Sequence, residues 1–165
     1  RDPRRFGAFV WTEDPPEQHP LISKLGPEPL SDRFIPNYLE HTLAGRQAAI
    51  KLAIMDQHLV VGVGNIYACE ALFQAGIAPQ RAASSLTHGE TTRLVDSIRT
   101  VLEASIRAGG STLRDYVDSD GKAGYFTLDC AVYGRGSQPC RLCGNPIQIA
   151  RLGQRSTFWC MQCQH

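Results

Sequence analysis

The chain is 165 residues long, 42% hydrophobic and 20% charged, which leaves room for one ordinary domain, or for one domain with a small appendage. No apolar run approaches the roughly 18 residues of a membrane helix, and no charged-then-apolar leader opens the sequence. A net charge of +1 makes no case by itself for a nucleic-acid partner.

The opening "RDPRRFGAF" has no initiator Met and reads as the middle of a longer or processed polypeptide. "FGAFVW" suits a strand entered from an arginine-rich turn. Residues 13–33 hold Pro15, Pro16, Pro20, Pro27 and Pro29 and read as a linker. Helices are predicted next, over "PNYLEHTLAG" with a stop at Gly45 and over the short "QAAIKLAIM". A third starts after "DQHLVVGVG", with Asn65 as N-cap and Gly76 as stop. Thr87-His88-Gly89-Glu90 is a capping box for a fourth helix, whose apolar face is Leu94, Ile98, Val101, Leu102, Ser105 and Ile106, ended by Gly109-Gly110. "STLRDYV" suits a fifth, "DSDGKAGYF" is a polar glycine-rich loop, and "YGRGSQP" is a hinge into the tail.

Charge is segregated. From Gly134 to His165 there are four arginines (135, 141, 151, 155) and no acid, a formal +4. Glu13 to Asp32 carries −4. A basic end suits a polyanion, although the signal is weak alone.

The tail "CRLCGNPIQIARLGQRSTFWCMQC" carries two Cys-x-x-Cys pairs, Cys140/Cys143 and Cys160/Cys163, sixteen residues apart. Zinc takes four tetrahedral thiolates, and each pair delivers two from one tight turn. "IQIARLGQRSTFW" between them reads as a β-hairpin with its turn at "LGQRS", and one structural Zn2+ replaces the core that so short a module cannot build. A disulfide pair or a redox site is the lesser alternative. Cys69 and Cys130 stand alone and read as small buried apolar residues.

Arg155 sits where the hairpin would turn, and with Gln154, Ser156 and Thr157 it offers donors that suit a phosphate; a solvated surface arginine is the competing reading. "LVVGVGN" ahead of a helix is either an anion site at a helix N-terminus or a glycine turn needed for close packing. It is neither a Walker loop nor a dinucleotide fingerprint. Lys51 and Arg155 on either side favour the anion reading.

"DPRRFG", "LGPEPL", "AIKLAIMDQHLVVGVGNIYACEALF", "SDGKAGYF", "VYGRG" and "RSTFWCMQCQH" together closely resemble the formamidopyrimidine-DNA glycosylases, from Arg1 to His165. The resemblance implies a mainly α fold: a helix–two-turns–helix domain followed by a four-Cys β-hairpin zinc finger, preceded by a remnant strand of a β-sandwich. The corresponding division is 1–33 for the end of the sandwich and a linker, 34–133 for the DNA-binding helices, and 134–165 for the finger.

The activity implied is removal of oxidised purines, 8-oxoguanine and formamidopyrimidines, from duplex DNA, with cleavage at the abasic site. The catalytic proline and neighbouring glutamate of the family have no counterpart here, so the 165 residues are expected to bind damaged DNA without cutting it. By the same resemblance Arg4 and Phe6 fill the gap left by the everted base. Lys51 and Asn65 contact phosphates, while Gln47 stands where relatives often carry a basic DNA-contacting residue. Ser119, Asp120, Gly121, Lys122, Ala123, Gly124 and Tyr125 form the lesion loop. Arg155 contacts phosphates at the lesion and serves δ-elimination, where a guanidinium with its high pKa suits stabilising the departing phosphate better than giving up a proton.

The implied partner is double-stranded DNA with oxidised purines or abasic sites, bound by a monomer with no membrane contact, in a bacterial cytoplasm at the nucleoid. "DPRRFG" and "SDGKAGYF" point away from the related endonuclease VIII-like branch for oxidised pyrimidines. A zinc-finger module that holds kinked DNA without chemistry, and a zinc ribbon for RNA or protein, are the readings from other classes.

Overall fold

A computed structural model describes residues 9–109 and 130–165. Among these residues the elements follow as α1 (Pro36–Leu43), α2 (Ile50–Ile54), α3 (Asn65–Ala75), α4 (His88–Arg107), β1 (Gln148–Leu152) and β2 (Arg155–Trp159). Single 3-10 turns lie at Pro16–Gln18 and Ala83–Ser85. No helix among them is long and apolar enough to cross a membrane. The helix expected over "STLRDYV" falls outside the described residues.

Local chemistry sets the helix ends. Pro36 opens α1 at its first turn, where a missing N–H costs nothing. Gly76 adopts φ 72° at the end of α3, which lets its own N–H reach Phe73 O and the Ile77 N–H reach Leu72 O. Thr87 and Glu90 exchange their capping bonds, with the Thr87 N–H donating to Glu90 Oε2 at 2.8 Å. Two helix readings need correction. Asn65 is the first residue of α3 and Gly64 is its cap, because the Asn65 side chain is engaged elsewhere. Ile106 is exposed: the buried stripe of α4 runs through Leu94, Val95, Ile98, Val101 and Ser105, and Ile106 turns off it.

α4 packs along α3 and α1, closing a core of Phe34, Leu39, Ile54, Leu59, Leu72 and Leu94, all fully buried. The supposed linker splits in two. Residues 17–24 are mostly exposed, but the stretch from Gly26 to Phe34 belongs to the helical core. The Gly26 N–H donates to Gln57 O, and a Cβ at Gly26 would lie 2.3 Å from Leu59 O. Arg99 of α4 donates to the carbonyls of Pro29, Ser31 and Phe34. Prolines deny this stretch a ladder of its own, so its carbonyls are met by a side chain instead. Phe9 to Thr12 form no strand.

The tail is a two-stranded antiparallel hairpin whose register pairs Leu152 with Arg155 and Gln148 with Trp159. Gly153 and Gln154 make the turn with φ 53° and 63°, the left-handed pair a two-residue hairpin requires. Arg155 is therefore the first residue of β2 and not the turn itself. A second apolar cluster of Cys69 and Phe73 from α3 with Val132, Ile147, Phe158 and Cys160 joins this module to the helices.

Candidate metal centre and nucleic-acid interface

Each Cys-x-x-Cys pair folds into a knuckle: the Gly144 N–H returns to Cys140 O, and the Gln164 N–H returns to Cys160 O. The two knuckles face each other, and the Sγ atoms of Cys140, Cys143, Cys160 and Cys163 all lie within 4.8 Å of one another. Sγ of Cys140 and Cys163 are 3.9 Å apart, and those of Cys143 and Cys160 are 3.4 Å apart. A tetrahedral zinc site with bonds of about 2.3 Å places its sulfurs about 3.8 Å apart, so the four residues fit the ion. The Asn145 backbone N–H brings the Cys143 thiol down to about 7, while burial raises Cys160 and Cys163. All four ligand positions come from protein, so the ion is structural. It closes the base of the hairpin where the chain has too few apolar residues to do so.

Buried polar side chains dock this finger on the helices. Lys51 of α2 is wholly buried, and its Nζ donates to Thr157 Oγ1 at 2.7 Å and to Ser156 O at 3.2 Å. Burial lowers its pKa, with Arg155 adding to the effect and Cys69 opposing it. Asn65 Nδ2 donates to the same Ser156 carbonyl at 3.0 Å, and its Oδ1 is buried without a partner among the described residues. Leu52 packs under the turn so closely that a Cβ at Gly153 would lie 2.6 Å from its Cδ2. At the other end Gln164 Oε1 accepts from the Cys160 N–H and its Nε2 donates to Ile77 O. The last residue joins in: the His165 N–H reaches Gly76 O, and His165 O accepts from Ala78 N–H and from Arg81 Nη1.

Arg155 is exposed, and no acid among the described residues pairs with it. It lines a cleft of about 360 Å³ with Met55, Gly64, Asn65, Tyr67 and Tyr133. Tyr133 is held edge-on to Phe158 of β2, ring centroids 5.2 Å apart. The glycine loop and the finger arginine thus do meet at one surface. Lys51 does not offer its ammonium there, since that group is spent inside the protein on the hairpin. Gln47 is exposed and donates to Ser84 Oγ at 3.4 Å. Arg4, Phe6 and Ser119 to Tyr125 lie outside the described residues.

Sequence reasoning passed over Glu70, whose partners are backbone amides 61–63 residues along the chain, and Gln164, which ties the nearby Cys160 N–H to the distant Ile77 O. A signal for Glu70 was present: it is a lone acid within the otherwise apolar "YACEALF". Gln164 carried none, as glutamine beside a ligand cysteine looks like any surface residue.

Residues 25–117 match the family model "Formamidopyrimidine-DNA glycosylase H2TH domain", and residues 137–165 match "Zinc finger found in FPG and IleRS". The chain is 59% identical over 163 residues to the formamidopyrimidine-DNA glycosylase of Laribacter hongkongensis and 55% identical over 164 residues to that of Neisseria meningitidis. Each match covers 99% of this chain and 60% of the relative, so the chain spans about three-fifths of the relatives' length. The crystal structure of the MutM (FPG) protein from Thermus thermophilus superposes with a TM-score of 0.88 at 44% identity, over 99% of this chain and 62% of that one. A complex between the Lactococcus lactis Fpg and an abasic site containing DNA superposes with a TM-score of 0.80 at 35% identity, over 87% of this chain and 53% of that one. With its helices and its four-cysteine finger both matched, the chain belongs to the formamidopyrimidine-DNA glycosylase family.

Proposed function

We propose that these 165 residues are the DNA-gripping and lesion-side portion of a bifunctional base-excision-repair glycosylase and abasic-site lyase acting on oxidised purines. The observation that carries this reading is Arg155: an exposed guanidinium without an acidic partner, on a metal-braced hairpin, beside the N-terminus of α3 in one cleft. A cation beside a helix N-terminus on one rigid wall suits a phosphodiester. The Lactococcus relatives were crystallised with Fapy-dG-containing and abasic-site DNA, which supports the same ligand here.

In this reading Arg155 neutralises the phosphate that departs in δ-elimination. Asn65 and the Gly62–Gly64 turn follow the backbone, and Lys51 acts from within by fixing the strand that carries Arg155. Gln47 borders the duplex as a neutral contact. Arg4 and Phe6 occupy the vacated base position, and Ser119 to Tyr125 close over the flipped base. The packing of Gly26 to Phe34 favours starting the helical domain near residue 25, ahead of a finger from 134 to 165. The protein acts as a monomer in the bacterial cytoplasm, at the nucleoid.

Binding without chemistry is the second reading, supported by a match that spans about three-fifths of the relatives' length. Two experiments test the pair. Anisotropy with a duplex bearing a tetrahydrofuran abasic analogue should show binding that Arg155→Ala weakens, with the salt slope flattened by about one unit. Borohydride with 8-oxoguanine duplex should trap no covalent adduct. Failure to prefer the abasic duplex over RNA would overturn the first reading, and a trapped adduct would overturn the second.

A further inference from the structure

Glu70, in the middle of α3, is 7% exposed and forms no ion pair among the described residues. A buried carboxylate is costly unless hydrogen-bond donors replace its water. Three do so in succession. Glu70 Oε2 accepts from the Ala131 N–H at 2.7 Å, and Oε1 accepts from the N–H groups of Val132 at 2.9 Å and Tyr133 at 2.8 Å. These amides belong to the irregular segment that leads into the finger, so no ladder or helix would otherwise hold them. Arg135 completes the knot, its Nη1 donating to Ala131 O at 2.7 Å.

The location gives the contact its meaning. Val132 is wholly buried in the cluster that joins finger and helices, while Tyr133 turns out to line the cleft beside Arg155 and Asn65. α3 therefore controls two parts of that wall. Asn65 at its start pins the hairpin through Ser156 O, and Glu70 just over one turn later pins the backbone of Tyr133.

We propose that Glu70 is a positioning residue for DNA binding, whose carboxylate gathers the amides of residues 131–133 and fixes Tyr133 in the cleft wall. The proposal rests on the DNA reading above. It makes an unusual demand of sign. Neutralising an acid in a protein that binds a polyanion should by Coulomb attraction alone tighten binding. A positioning role requires the opposite, because Gln offers a single acceptor oxygen and brings an N–H₂ towards three N–H donors.

The test compares the zinc-loaded 165-residue chain with Glu70→Gln and Glu70→Asp, by amide hydrogen exchange and by anisotropy on the abasic-analogue duplex. Exchange at residues 131–133 should quicken at least tenfold in both variants while the amides of Leu94 and Ile98 keep their protection. Affinity should fall about tenfold in both, with the salt slope unchanged because no phosphate contact is removed. Unchanged exchange at 131–133, or a Gln variant that binds as tightly as the wild type or tighter, would overturn the proposal. Should the Gln variant not fold, Glu70→Asp decides alone: its net charge is unchanged, so wild-type affinity would refute the role. Loss of fold in both would refute it too, since the residue would then support the whole domain. A wild-type chain that ignores the duplex sinks the DNA reading instead, and exchange still judges the tether.

Discussion

The link between Lys51 and Thr157 joins α2 to β2 across 106 residues of sequence, and its strength can be worked out in advance. A hydrogen bond from an ammonium to a buried hydroxyl contributes about 1.5–3 kcal/mol, and at 2.7 Å this one should fall in that range. The single substitution Lys51→Met would not reveal it. Methionine keeps the apolar stem and removes a desolvated charge, so relief of burial offsets part of the lost bonding. Ser156 O also keeps its bond from Asn65. A double-mutant cycle with Lys51→Met and Thr157→Val isolates the pair, read from urea unfolding of the four zinc-saturated proteins at pH 7. The expected coupling is about 1.5–3 kcal/mol. A value under about 0.5 kcal/mol, the usual limit of additivity, would refute the claim that the buried ammonium holds the hairpin. The pH dependence adds a check. With the folded pKa below 10.5, the unfolded chain binds more protons in the window just beneath that value. Stability of the wild type relative to Lys51→Met should therefore rise with pH there.

Other outcomes follow from the same packing. Arg81 and Thr87 hold the Glu90 carboxyl at about 2 against an ordinary 4.5. That stability is present above about pH 4.5 and is lost as pH falls towards 2; solvent screening limits it to about 1–2 kcal/mol. Acid titration of unfolding should show the loss, and Glu90→Gln should remove that pH dependence. Gly26→Ala drives a methyl to 2.3 Å from Leu59 O and should cost about 3 kcal/mol, whereas Gly89→Ala, in the first turn of α4 where the methyl would meet Arg93 Nη1 at an ordinary contact of 3.8 Å, should be neutral or slightly stabilising in thermal melts. Native mass spectrometry should find one zinc per chain. Chelation should abolish amide protection over 148–159 while α4 keeps its own, since the hairpin's base depends on the metal.

What could be read from the sequence was what neighbouring residues decide. The capping box at Thr87 and Glu90 is written in four consecutive letters, and the four ligands in two fixed spacings. Gly76 ended α3 because only its left-handed conformation lets two amides turn back. Asn65 shows the limit. Its type and place suggest a cap, yet its amide crosses 91 residues to Ser156, and no local rule carries that information. Lys51 shows the same limit: a lysine near a glycine loop suggests a phosphate, and its bond to a hydroxyl 106 residues away is written in no local pattern. Residues 26–33 looked like a linker because five prolines deny regular structure to the stretch from 13 to 33. Lack of regular structure is not lack of packing, and Arg99 supplies what a ladder would have.

The most direct measurement is a salt titration of the zinc-loaded chain on an abasic-analogue duplex, with Arg155→Ala alongside. Tight binding in dilute buffer, a steep salt slope, and a variant slope smaller by about one unit are the expected results. A metal-loaded chain that does not distinguish this duplex from RNA, or an Arg155→Ala variant with the wild-type slope, would contradict the account.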